Sequence, residues 1–466
     1  MMKNWFSVLA SCWLSLGLAL QASATDEALK DSTKIEIATT KGIWIWNSDV
    51  SVLRNGDALV SWVEGGVGNK FALKSRLVST QNKLGKVTTL VSSNVSFSED
   101  LSNLPRVVGN ANGDFLASWV QAETINGVLY QKLVGRISRG GSTWSKAFAI
   151  SKPLRANVER DCGFTPFGCG YDLLSSAVDG EGRFSVITGY SNAEEKPTYA
   201  VATSTRSGKW STLKDIAELS QDNGYFKTFG LASGFIFGYE DYLGGESCKY
   251  LMNYYDPKTE AWGAALTVRN VPDNTRIQTA FAQRDENTVS VVSFAGDFDG
   301  KYGIAVRDFK LKTKNFGVYN QLVVPGKVDA VYQDFFVKSR AGKLAIGYIE
   351  ADRIGFGWTY HARMATQDLV GGAFTDTELT TESDSADPSS VGITTYGKPF
   401  ITYNQSLDRV QYLAMLGKSA TKKVLHSNDD GGAIIDIWIT GREKVFFTTN
   451  VNDDVHKVFL VKGRIK

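Results

Sequence analysis

Cysteine, histidine and proline are scarce in this chain: four, three and nine among 466 residues. So few cysteines exclude a disulfide framework, and the fold must rest on an apolar core. The histidines, His361, His426 and His456, are far apart, so no His-Glu-x-x-His metal motif exists. A Gly-x-Ser-x-Gly elbow and a phosphate loop are also missing, which removes the common signatures of hydrolases and nucleotide enzymes. Charge of one sign is lacking too, since Lys, Arg, Asp and Glu are interspersed and the formal net charge is +2. No basic face for nucleic acid or anionic lipid is expected.

Long apolar runs are limited to Trp5–Leu20, which follows Lys3 and precedes the small residues Ala22-Ser23-Ala24. The run is shorter than the roughly 20 residues that cross a bilayer, and reads as a secretory signal over residues 1–24. Leu9-Ala10-Ser11-Cys12 superficially matches a lipoprotein box, but lipidation there would leave Trp13–Leu20 on the mature chain. The expectation is a soluble periplasmic or secreted protein without membrane insertion. Signal removal leaves Cys162, Cys169 and Cys248; a Cys162–Cys169 disulfide is the first expectation, with Cys248 as another partner for either.

What is abundant is a repeat. Val50–Trp62 and Val107–Trp119 each run strand, Gly-containing turn, apolar strand and aromatic residue, with the glycine six residues before the tryptophan. Gly342 to Tyr348, Gly397 to Tyr403 and Gly441 to Phe447 repeat the spacing, and Gly234 to Tyr239 is one shorter. With looser copies around Gly182 and Glu286, eight turns recur at a mean interval of about 55 residues. That period suits a four-stranded propeller blade. A second column, Trp144, Trp210, Trp262, Phe316 and Phe374, lies about 30 residues after five of these turns, and each residue opens a further strand-like run. Helical periodicity is absent, and Val, Ile, Thr and aromatics fill the apolar positions.

These features predict an all-β chain: residues 25–33 a linker and 34–466 one closed β-propeller of eight four-stranded blades, seven being the alternative. The surplus strand at residues 34–40 should complete the last blade, built from residues 428–466, and so remove both sheet edges.

The repeats resemble those of bacterial exported propellers with a Gly turn and an aromatic-ended strand. Ser138-Arg-Gly-Gly-Ser-Thr-Trp144 and Ser204-Thr-Arg-Ser-Gly-Lys-Trp210 are similar to degenerate Asp-boxes of sialidase-type propellers, but lack the Asp and are a residue short. The resemblance implies architecture, and no catalytic residue carries over.

In such a fold, inter-blade connections and loops between second and third strands share one face around the channel mouth. Polar residues entering or flanking the innermost strands there are Asp49, Arg106, Arg160, Asp172, Lys227, Arg276 and Asp334. Their arginines suit an acidic sugar or carboxylate; a ring of mixed charge also simply solvates a water-filled channel. Asp297-Phe-Asp299-Gly has the spacing that opens a calcium loop but lacks the later ligands, and no other cofactor is expected. Trp44 and Trp46 suit a stacking platform for a sugar, or packing between blades. The expected function is a binding module for a glycan, or for an envelope or extracellular protein. The alternative is a polysaccharide hydrolase or lyase with rim carboxylates at the same mouth.

Overall fold

A computed structural model describes residues 29–65, 71–93, 105–155, 172–191, 196–219, 226–242, 247–272, 276–296, 303–317, 321–324, 330–354, 357–379, 386–405, 410–415, 421–427, 434–439, 444–452 and 455–465. Residues 1–24, and with them the signal reading, lie outside this set, as do Arg160, Cys162, Cys169, Asp297 and Asp299. No helix occurs among the described residues.

Each repeat supplies one antiparallel sheet whose strands follow in chain order. In the first, Ile45–Val52, Ala58–Glu64, Phe71–Val78 and Thr88–Ser93 lie side by side. Seven more sheets follow, with first strands beginning at Arg106, Asp172, Phe226, Arg276, Ala330, Ala386 and Ile434. The first strands of consecutive sheets pack against each other, and Ile434–Ile439 packs against Ile45–Val52. This arrangement is consistent with a β-propeller.

Burial follows strand order. The second strand Ala58–Glu64 is buried on both faces up to its last residue, whereas the outermost Lys214–Glu218 is mostly exposed. Clusters of buried side chains join neighbouring sheets: Leu59 and Phe115 meet between the first and second, Phe237 and Tyr199 between the third and fourth. Trp62 is 1% exposed, and Tyr348, Tyr403 and Phe447 are fully buried, so the repeated aromatic is a core residue. Burying a large apolar side chain of this kind contributes roughly 1.5–3 kcal/mol.

The turn glycines have a conformational reason. Gly56, Gly113, Gly182, Gly234, Gly342 and Gly397 all have φ between +75° and +95°, where a Cβ is strained. The copy near Glu286 turns without glycine, Arg284 N donating to Thr288 O at 2.8 Å. Gly441 lies outside the described residues.

At the chain start, Leu29–Lys41 pairs antiparallel with Val455–Ile465. The strand is longer than residues 34–40, so the expected linker is corrected from residue 29 onward, residues 25–28 lying outside the described set: Leu29 is already paired with Ile465, 3% exposed and packed on Gly463. Two register shifts, between Lys30 and Thr33 and between Glu36 and Ala38, let one strand follow its partner that far. The outer column is also corrected. Trp144 and Trp210 make single bridges to Ser138 and Ser204 instead of opening continuous strands, and the second sheet's outer strand is reduced to Phe148–Ala149 and Leu154–Arg155. At the periphery few neighbours enforce regular pairing.

If Leu29–Lys41 holds the chain start to the last sheet through its buried side, Ile37→Ala, at a residue 1% exposed, should cost about 2–5 kcal/mol in urea unfolding. Thr33→Ala, at an exposed residue of the same strand, should stay within about 0.5 kcal/mol.

Candidate functional site

The connections from each outer strand to the next sheet, and from second to third strands, emerge at one end of the sheets, the loop face. The glycine turns emerge at the other.

Residues expected at the mouth do fall on first strands. Asp49 is opposite Ser61, Arg106 opposite Ser118, Asp172 opposite Gly189, Lys227 opposite Gly238 and Arg276 opposite Gly296. Each cross-strand neighbour is Ser or Gly, which leaves room beside the longer polar side chain. Asp334 sits at a register shift between Gln333 and Phe335. The side chains of Asp172, Arg276 and Asp334 lie outside the described residues. Asp49 is half-buried, and one carboxylate oxygen accepts the Val50 N–H at 2.7 Å. Lys227 is exposed. Arg106 is exposed as well and has no ion pair among the described residues. These residues thus lie on the first strands of six consecutive sheets, near the loop-face ends.

Trp44 stands on the connection between Leu29–Lys41 and Ile45–Val52. It is 47% exposed, beside Ile43 at 44%, an unusual position for two large apolar side chains. The connection is tied down locally: Gly65 N donates to Trp44 O at 2.9 Å and Thr40 Oγ1 to Ile43 O at 2.5 Å. The indole leans on the imidazole of His456, itself 5% exposed, with ring centroids 4.8 Å apart. An aromatic held this way presents surface at little further entropic cost. Trp46, its expected companion, has a side chain outside the described set.

The structure also reveals a repeat missed in the sequence. Two residues after the aromatic of a second strand, toward the loop face, comes an acid or amide: Trp62 and Glu64, Trp119 and Gln121, Tyr239 and Asp241, Tyr348 and Glu350, Tyr403 and Gln405. Extending the aligned repeats by two residues exposes the pattern. In the first sheet Glu64 takes the Trp62 indole N–H at 2.9 Å and Lys74 at 2.5 Å from the third strand. In the sixth, Glu350, 1% exposed, takes Arg363 at 2.9 Å. Arg363 also meets Asp376 at 2.6 Å and Glu378 at 3.2 Å, while His361 Nδ1 lies 3.3 Å from Glu378. Burial alone would lower the Arg363 pKa, but the Asp376 hydrogen bond and the surrounding carboxylates outweigh it and raise it. Burial, then the Asp376 carboxylate, pushes the Tyr348 phenol well above its ordinary range, so Tyr348 stays a donor, to Asp376 at 2.7 Å. These groups form a brace across three strands.

No family model matches the chain, and no curated protein matches it. Among solved structures, a polysaccharide lyase acting on ulvan is similar at 10% identity over 86% of this chain and 94% of that one, with a TM-score of 0.42. The β-propeller domain of the trilobed protease from Pyrococcus furiosus matches at 8% identity over 79% and 97%, TM-score 0.42. An α-L-arabinofuranosidase from Fusarium graminearum matches at 9% identity over 62% and 91%, TM-score 0.41. At these scores the likeness assigns neither ligand nor reaction to this chain.

Arg363→Met tests the brace. Removing the central cation from the buried Glu350 should destabilise the protein by about 3–5 kcal/mol at neutral pH. The deficit relative to wild type should shrink on acidification as the carboxylates protonate, which paired urea titrations at neutral and acid pH would show.

Proposed function

We propose that the eight sheets are the blades of one ring closed by Leu29–Lys41, and that the exported protein is a binding module for a glycan at the loop face. The observation that carries the reading is Trp44: a half-exposed indole on a hydrogen-bonded connection, at the end of the fold where the polar first-strand residues are placed. A sugar ring stacks its apolar C–H face on such a surface, while neighbouring polar groups take its hydroxyls. Arg106, exposed and without an ion pair among the described residues, supplies a bidentate donor for a carboxylated sugar.

The test is a glycan array of the mature protein followed by calorimetry on the best acidic ligand. Trp44→Ala should weaken binding at least about tenfold, equivalent to about 1.4 kcal/mol, with the melting temperature unchanged. Arg106→Ala should weaken it too and flatten its salt dependence. Binding indifferent to both substitutions would reject the site, and cleavage of the bound glycan would favour a hydrolase or lyase.

A further inference from the structure

A cavity lies away from the loop face, in a cleft of about 510 Å³ between the third and fourth sheets. Its size falls within the roughly 300–1,000 Å³ typical of small-molecule sites. One wall is the segment joining Pro197–Thr203 to Lys214–Glu218 and carries Trp210; the other carries Trp262 and the small residues Gly263, Ala264 and Ala265. The two tryptophans belong to the column that recurs through the chain, yet here both border open space.

The cleft holds polar groups with unused capacity. Asn253 is 2% exposed; its Nδ2 donates to Gly263 O at 2.9 Å, while its Oδ1 accepts nothing among the described residues. The Trp210 Nε1 is likewise buried without an acceptor, whereas the Trp262 Nε1 donates to Thr203 Oγ1 at 3.2 Å. Both atoms have under 1 Å² of accessible surface, so a ligand in the cleft pairs with them only as the side chains turn toward it, which relieves the about 1–3 kcal/mol that an unsatisfied buried group costs. One needs a donor and the other an acceptor, and a hydroxyl is both. Charge in the lining balances: Lys209 and Lys214 stand against Asp215 and Glu260, with Asp215 also taking the Tyr190 hydroxyl at 2.7 Å. Indole surface, hydroxyl-matched polar atoms and no net charge together select one ligand class.

We infer that this cleft is a second binding site, for an uncharged saccharide, independent of the loop-face site. Its ligand stacks on Trp210 or Trp262 and hydrogen-bonds toward Asn253 and Trp210.

Calorimetry with cellopentaose, mannopentaose and maltopentaose, and with pentagalacturonate as the charged control, tests this on the mature chain. Replacing either tryptophan would disturb the core, so the cleft is filled instead: Ala264→Trp and, separately, Ala265→Arg, both at exposed positions. At least one neutral pentasaccharide should bind wild type and Trp44→Ala equally, with little salt dependence. Each filling variant that melts like wild type should weaken it by about tenfold or more. The inference is overturned if no neutral pentasaccharide binds, if Trp44→Ala abolishes the binding, or if both filling variants leave it unchanged. Because Trp44→Ala removes only the loop-face site, failure of one reading is distinguishable from failure of the other.

Discussion

The structure depends on second strands that are apolar on both faces. Ala58–Glu64 is buried on both sides up to Glu64, and the second strand of the third sheet, Phe184–Ser191, is buried from Phe184 to Gly189. A sheet built around such a strand needs a neighbour on each side, and a row of them always leaves two faces bare. A ring leaves none. Packing of Ile434–Ile439 against Ile45–Val52, with Leu29–Lys41 added to the last sheet, fits that requirement.

Polar clamps give the apolar contacts their register. On the turn face, Arg54 N donates to Ala111 O and Gly180 N to Leu231 O, both at 2.8 Å, so each link crosses from one sheet to the next. Arg284 extends this belt from the fifth sheet to the sixth, reaching Gly342 O at 2.5 Å and Gln367 Oε1 at 2.6 Å. It is 4% exposed, and burial lowers its pKa, which marks the cost of placing a cation there. Farther out, Arg76 reaches Ile37 O at 2.7 Å and Arg307 reaches Thr267 O at 2.8 Å, each on the outer strand of the preceding sheet. Nonpolar burial sets how closely sheets approach, and these directional bonds set how they are aligned.

Such a scaffold separates stability from recognition. Turn face and sheet interiors are committed to holding neighbours together, as the brace around Arg363 also is. The surfaces proposed for ligands are where that commitment lapses: the loop face around Trp44, and the side cleft where the outer strand of the third sheet is short and exposed. The two differ in character, since one carries an exposed indole and, on the first strand of the next sheet, an exposed arginine without an ion pair among the described residues, and the other a charge-balanced lining between two tryptophans. The ligands proposed for them, an acidic glycan and an uncharged saccharide, differ for that reason.

Strand identity, repeat length and the glycine turns were legible in the sequence, because each depends on local chemistry: alternation of apolar residues, β-branched content, and the positive φ that glycine adopts without strain at Gly56 and its counterparts. The surplus strand at the chain start was legible by counting, though not its true beginning at Leu29, which depends on two register shifts against Val455–Ile465. The site was read less well. Trp44 and Trp210 are the same residue type in aromatic-rich repeats, and nothing local tells which borders solvent, which borders a cleft and which, like Trp62, is sealed between sheets. The sequence by itself therefore determined an all-β repeat and the strands on which polar residues sit. Only the tertiary structure decided which aromatics and polar atoms are left uncovered, because exposure depends on how neighbouring sheets meet, and that contact joins residues far apart in the chain.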